Sequence, residues 1–324
     1  MKKSLSLLIW LILISASYPQ KLKKISFALN EIPQAQFAGY FVGMEMGIYK
    51  KYGIDLEIIT EDFKKPASTY LKDAKRDFFL LTLTSAIQLK EKGSTIVNIS
   101  QLINRSALML IAKKTSDINT PQDMEGKKIG ILGGDFQIQP LAFFKKYNLN
   151  VQTVPQGNTV NLFFFDGIDV ISGRWYNEYH TILNSGYRED ELSTFFFSDH
   201  DLNFPEEGIY CSAELLQRES ELCESFLKAT LESWQYTFNN PEEALNIIIK
   251  HIKKLNLPSN KTHQRWMLNR MKDLIFPNDT MNQFEILQKE NFMLVAEILR
   301  DSKIIKSIPP FQDFYKPLKI TRTR

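Results

Sequence analysis

Apolar and polar positions alternate with two periods along this chain, and the switches between them mark its elements. Ile25 to Leu29 and Ile54 to Ile59 alternate every second residue, the pattern of half-buried strands. Between them Phe37, Tyr40, Phe41, Met44 and Ile48 fall three and four apart, one apolar face of a helix. Gly39, Gly43 and Gly47 recur every four residues there, so the backbone can lie close to a sheet or to a ligand; packing is the commoner reason. Lys50, Lys51 and Tyr52 followed by Gly53 mark a helix C-terminus. Phe78 to Leu81 is a continuous apolar run, as in a strand buried on both faces. Ala86 to Lys92 then predicts a helix with Thr84 or Ser85 as N-cap and Gly93 as its stop.

Further strands are predicted at Thr95 to Ile99, Leu108 to Ala112, Lys128 to Leu132, Val151 to Val154, Ile168 to Ser172, Phe195 to Phe197 and Ile209 to Ser212. Helices fall after Thr120-Pro121, at Pro140 to Lys146, Asn161 to Phe165 and Tyr176 to Asn184. From Glu219 the chain turns helical, through a break at Asn239-Asn240-Pro241, with Thr262 to Ile275 and Asn282 to Leu299 as further helices and a last strand at Leu318 to Thr321. Strands alternating with helices predict an α/β fold of mainly parallel sheets in two lobes, closed by a helical return. The reading assigns 21–112 and 207–324 to lobe 1 and 113–206 to lobe 2.

Composition changes this picture in one place. Lys2 and Lys3 precede an apolar run from Leu5 to Ile14 and then Ser15-Ala16-Ser17, the layout of a signal peptide. The run is about half the ~20 residues that span a bilayer, so 1–20 reads as a signal cleaved near Ser17 to Lys21, with an uncleaved anchor as the alternative. Export to a Gram-negative periplasm follows. The chain has 40 basic and 37 acidic residues, and without those two lysines the two stand almost even, so no charge excess suggests nucleic acid or an anionic membrane. An oxidising compartment permits a disulfide, yet Cys211 and Cys223 serve equally well as buried thiols.

Catalytic patterns are largely absent. His180, His200, His251 and His263 lack zinc-ligand spacing, and Gly126-Lys127-Lys128 lacks the other parts of a phosphate loop. There is no nucleophile elbow and no dinucleotide fingerprint, and Asp166 and Asp169 read as a turn and a strand end.

The stretch from Pro33 through Gln36, Ala38 to Val42, Gly47, Tyr49 and Gly53 to Ile58 resembles the opening of a family of periplasmic solute receptors. These serve ABC importers of thiamine precursors, riboflavin, nitrate, taurine and alkanesulfonates. Ile118 to Ile131, Phe165 to Val170 and Ala229 to Ala244 extend the resemblance in order and spacing. It implies a type II periplasmic-binding-protein fold, two lobes around a ligand cleft, a small-molecule ligand, an ABC permease as partner, a monomer and no cofactor. One enzymatic branch of the family makes the thiamine pyrimidine with a histidine in the first loop and a cysteine-rich iron motif. Here Gln36 stands near that histidine's place and no cysteine cluster exists, so no enzyme is expected.

Ligands of open α/β sheets sit at strand ends. That rule nominates Asn30, Gln36, Phe37, Tyr40, Thr84 and Ser85 from lobe 1, and Gly133, Gly134, Asp135, Trp175, Tyr176 and Glu178 from lobe 2. Aromatic rings can sandwich a flat heterocycle, and Glu178 can accept from its amino group. A glutamate after an aromatic stretch does this in the resembled thiamine-precursor receptors. The competing ligand is a sulfonate or other oxyanion held by Thr84, Ser85 and the Gly133–Gly134 amides. The competing role is a sensor subunit reporting to a membrane kinase.

Overall fold

A computed structural model describes residues 21–60, 76–157, 159–277, 284, 286–318 and 320. The signal segment expected at 1–20 lies outside them.

Two five-stranded sheets form the frame. The first contains β1 (Lys23–Leu29), β2 (Ile54–Thr60), β3 (Phe78–Thr82), β4 (Ile96–Gln101) and β10 (Glu207–Ser212), in the order β2-β1-β3-β10-β4. The second contains β5 (Leu108–Lys113), β6 (Lys128–Leu132), β7 (Gln152–Gln156), β8 (Val170–Arg174) and β9 (Leu192–Phe196), in the order β7-β6-β8-β5-β9. The order is the same in both, with the strand that arrives from the other lobe inserted fourth.

The sheets are mainly parallel, as expected, with the inserted strand of each as the exception. β10 runs antiparallel to β3 and β4, and β5 runs antiparallel to β8 and β9; the remaining pairs are parallel. A strand reached through a crossover enters its new sheet from the opposite end, so both sheets are mixed. β5 also moves the lobe boundary. The sequence reading left it in lobe 1, which it ended at Ala112. Ala112 is paired to Val170 on one side and Ser193 on the other, deep in the second sheet. The first crossover is therefore 102–107. It lies beside the second, 203–206: Glu206 N–H donates to Ile103 C=O, and Leu102 N–H to Glu207 C=O.

Helices cover both faces of the first sheet. On one side pack α1 (Ala38–Glu45), α2 (Ile48–Lys51), α8 (Ser220–Asn239), α9 (Pro241–Lys254) and α10 (Lys261–Ile275), around Phe27, Tyr40, Phe226 and Trp234. On the other lie α3 (Leu83–Glu91) and α11 (Lys289–Asp301), around Ile87, Phe292 and Val295. Short helices α4 (Ile138–Lys146), α5 (Asn161–Phe164) and α6 (Glu178–Asn184) cover the second sheet, α7 (Ala213–Arg218) links β10 to α8, and α12 (Phe311–Phe314) ends the series.

The glycine-rich helix breaks where one continuous helix was expected. Gly47 adopts φ 70°, which separates α1 from α2 and turns the chain toward β2. Its other glycines serve packing. A Cβ at Gly39 would overlap the Trp234 ring, and one at Gly43 the Ser233 hydroxyl, so α1 rests directly on α8. The N-cap of α3 is Thr82, whose hydroxyl accepts from Ser85 N–H, rather than Thr84 or Ser85. Of the expected last strand, Leu318 and Ile320 are described and are not in a strand, and the rest lies outside the described residues.

Candidate functional site

The facing edges of the two sheets bring together loops from both lobes. From lobe 1 come the turn after β1, with Glu31, Gln34 and Gln36, and the start of α3. From lobe 2 come the end of β8, with Arg174, Tyr176 and Glu178, and the turn after β6, with Asp135. Glu206 and Glu207 enter from the crossover. Because β10 is antiparallel, its first residue is the one at this edge, opposite Thr82 at the end of β3.

Arg174 is the central cation. Its Nη2 and Nε donate to Glu178 at 2.8 and 3.1 Å, and its Nη1 reaches across to Glu31 at 2.8 Å. Glu178 also accepts the Arg174 backbone N–H at 2.8 Å. Both residues are buried. Burial pushes the Glu178 carboxyl up, but the guanidinium outweighs it and holds the group below its usual range. The guanidinium lies over the rings of Tyr176 and Phe136, at 5.5 and 5.2 Å.

Glu206 and Glu207 have no such partner. Glu206 accepts from Ala107 N–H at 2.6 Å and Tyr176 Oη at 3.3 Å. Glu207 accepts from Gln36 Nε2 through Oε1, while its buried Oε2 has no hydrogen-bond partner among the described residues. Burial, aided by the neighbouring carboxylates, raises Glu206 to about 7 and Glu207 to about 8. Four buried or nearly buried carboxyls, Glu31, Glu178, Glu206 and Glu207, thus surround one guanidinium, and the two without a cation hold their protons near neutral pH.

The lobes meet at further points. Asp135 accepts from Ser85 Oγ and, at 3.0 Å, from Gln88 Nε2. Trp266 Nε1 donates to Trp175 C=O at 2.9 Å, and Arg270 lies over the Trp175 ring at 4.5 Å. Within lobe 1, Gln264 of α10 accepts Ala35 N–H at 2.6 Å, tying the first loop to the helical return. Between the lobes a void of about 30 Å³ remains, lined by residues including Thr84, Leu108, Asp135, Phe136 and Glu206. That holds a water or so, against the ~300 Å³ or more of a ligand pocket. Among the described residues the lobes touch through these bonds, and this void between them is too small for a solute.

The nominated residues divide accordingly. Gln36, Ser85, Asp135, Tyr176 and Glu178 lie in the interlobe network, Trp175 lines it and Thr84 lines the void. Asn30 is half-buried, and its Oδ1 has no hydrogen-bond partner among the described residues. Gly133 and Gly134 are exposed, on a 3-10 turn rather than a helix start. Phe37 and Tyr40 correct the picture of an aromatic wall: both are fully buried in the lobe 1 core, Tyr40 edge-on to Trp234 and Phe27. Glu178 is no free anchor, since Arg174 occupies both of its oxygens. Sequence reasoning missed Glu31, Glu206, Glu207 and Gln264. The usable signal was an acid pair opening an apolar strand, Glu206-Glu207 before Ile209 to Ser212.

The model of proteins described as "NMT1/THI5 like" matches residues 34–244. The chain belongs to the NMT1/THI5-like family. A riboflavin-binding protein, RibY, from Chloroflexus aurantiacus is 24% identical over 73% of this chain and 68% of its own. A 4-amino-5-hydroxymethyl-2-methylpyrimidine phosphate synthase from Legionella pneumophila is 26% identical over 72% and 76%. Among solved structures, a putative sulfonate ABC transporter's periplasmic sulfonate-binding protein, SsuA from Methylobacillus flagellatus, superposes with a TM-score of 0.68 at 15% identity, over 92% of both chains. The NMT1/THI5-like chain is thus a solute-binding protein in fold, and its family carries names of both receptors and a synthase. Among the described residues no helix is long and apolar enough to cross a membrane.

Proposed function

We propose that this chain is the solute receptor of an ABC importer, capturing a small, flat, nitrogen-bearing heterocycle between its lobes. One observation carries the ligand class: four glutamates at the interlobe edge, Glu31, Glu178, Glu206 and Glu207, cluster around Arg174, whose guanidinium is already shared by two of them. Such a site favours a ligand that brings hydrogen-bond donors or positive charge, as an aminopyrimidine edge does. It disfavours a sulfonate, which would bring a further buried anion to a cluster where Arg174 already serves the Glu31 and Glu178 carboxylates. The polar anchor moves from Glu178 to Glu207, whose Oε2 is unpartnered, with Glu206 beside it. Riboflavin and the thiamine pyrimidine, the compounds in the relatives' names, are both flat nitrogen heterocycles, which supports the class. A receptor rather than a synthase is supported by Gln36, which bonds Glu207, and by Cys211 and Cys223, which lie in the lobe 1 core and leave the cleft without soft ligands.

A thermal-shift screen of pyrimidines, flavins, alkanesulfonates and nitrate, run on the wild type and on Glu207→Gln, tests this. A heterocycle should stabilise the wild type; its donors draw the proton from Glu207, so the substitution should weaken binding about tenfold to a hundredfold, the equivalent of a lost charge-assisted bond of about 1.5–3 kcal/mol. A shift with sulfonates alone, unaffected by Glu207→Gln, would overturn the ligand class.

A further inference from the structure

One interlobe contact has no part in the carboxyl cluster. His180, on α6 of lobe 2, places Nδ1 3.0 Å from Nδ1 of His263, on α10 of lobe 1. The rings lie 5.2 Å apart at 32°. Two ring nitrogens at hydrogen-bond distance hold one hydrogen between them; with one on each, two N–H groups point at one another. His263 Nε2 is 3.0 Å from Asn177 Oδ1, an atom that only accepts, so Nε2 carries a hydrogen and the Nδ1 of neutral His263 is an acceptor. His180 then supplies the bridging N–H in the neutral contact. Asn184, whose amide nitrogen is 3.1 Å from the same Nδ1, lies on the same helix and can turn its Oδ1 to accept that N–H when the contact breaks.

We propose that the His180–His263 pair is a proton-operated latch between the lobes, closed with one hydrogen between the rings and released when both rings are protonated. This concerns the lobe movement and is independent of which solute is bound. The groups facing the pair leave a second proton uncompensated. Glu178, on α6, would attract it, but Arg174 at the end of β8 already neutralises that carboxylate and itself opposes the proton. Trp266 of α10 stacks on His180 at 4.7 Å and has Arg270 over its ring at 4.8 Å, so this aromatic already has a cation. Burial, with the charge of the facing ring, lowers His180 to about 4, and burial lowers His263.

The sign follows. Open lobes let both rings titrate near their ordinary 6.5, whereas closed lobes exclude the extra proton. Closure is therefore intact above pH 6.5 and weakens below it, by up to about tenfold per pH unit per excluded proton. Glu206 and Glu207 act oppositely, favouring closure as the pH falls through 8 and 7, so the latch is read as the difference between wild type and variants.

The experiment is small-angle scattering of the full chain without ligand from pH 7.5 to 4.5, for the wild type, His180→Gln and His263→Gln, with His263→Asn in reserve. Circular dichroism confirms that each is folded. Wild-type radius of gyration should rise as the pH drops below 6.5, while the variants, with no second ring to charge, change less. Histidine ring NMR should give one of the pair a pKa below 5.5 in the wild type, returning toward 6.5 when its partner is replaced. Equal expansion of wild type and variants would overturn the latch, as would no expansion at all. So would compaction by zinc or copper at pH 7.5 that needs both histidines, since the pair would then be a metal site.

Discussion

Arg174 holds two glutamates that would otherwise be buried without a counter-charge. Removing one partner of a buried pair costs about 3–5 kcal/mol, more than the intact pair contributes. Arg174→Met should therefore lower the urea midpoint strongly, and Glu178→Gln should do so less, because the amide still accepts from the guanidinium; equilibrium unfolding checks both. Glu206 and Glu207 give a pH dependence of opposite sense to an ordinary salt bridge. Their folded values of about 7 and 8 lie above the ordinary 4.5. The folded state keeps protons that the unfolded chain has released, so this stability is full below pH 4.5 and is lost as pH rises through 7 and 8. The slope approaches about 1.4 kcal/mol per pH unit for each group. Between pH 6.5 and 8.5, where the histidine pair contributes little, the urea midpoint should fall, and Glu207→Gln should flatten the fall. A midpoint rising over that interval would contradict the burial of these acids.

Helix α1 lies against α8 at two glycines with no room for a methyl group. Gly39→Ala should destabilise by about 1–3 kcal/mol through overpacking. Gly133→Ala is the control: a Cβ there meets nothing within 4 Å, and its φ of −75° suits alanine, so thermal unfolding should be nearly unchanged. The apolar spacing of Phe37, Tyr40 and Phe41 made this helix legible, since periodicity reports burial. It could not report what the buried face meets, and Phe37 and Tyr40, read as cleft aromatics, are core. The strands were legible for the same reason, including Lys128 to Leu132 to the residue. Their direction was not, because β5 and β10 carry the same apolar runs as their parallel neighbours. With β10's direction hidden, the rule of carboxyl-terminal strand ends passed over Glu206 and Glu207. The Thr82 cap was missed because three hydroxyl residues compete within Thr82 to Ser85, and backbone geometry decides among them.

Closure of the lobes rests on few bonds, so single changes should shift its balance. Asp135 accepts from two side chains of the opposite lobe, and Asp135→Ala removes both. The unliganded variant should show a larger radius of gyration by scattering at pH 7.5, and its solute affinity should drop in proportion to the closed fraction lost. An unchanged radius would mean that the Arg174–Glu31 bridge and the α10 contacts suffice.

The placement of β10 also bears on how the chain reaches this state. Lobe 2 is contiguous, so its sheet can assemble as soon as β9 is available. Lobe 1 cannot: β3 and β4 meet only through β10, which lies beyond the whole of lobe 2. The closing of that sheet is a long-range event, slow because the loop must be ordered before any ladder bond forms. α8, α9 and α10, which cover the core around Phe27 and Tyr40, come later still. During synthesis the first strands must therefore wait, exposed, for the last third of the chain. In pulse-labelled hydrogen exchange on refolding, amides of β5, β6 and β8 should gain protection before those of β3 and β4.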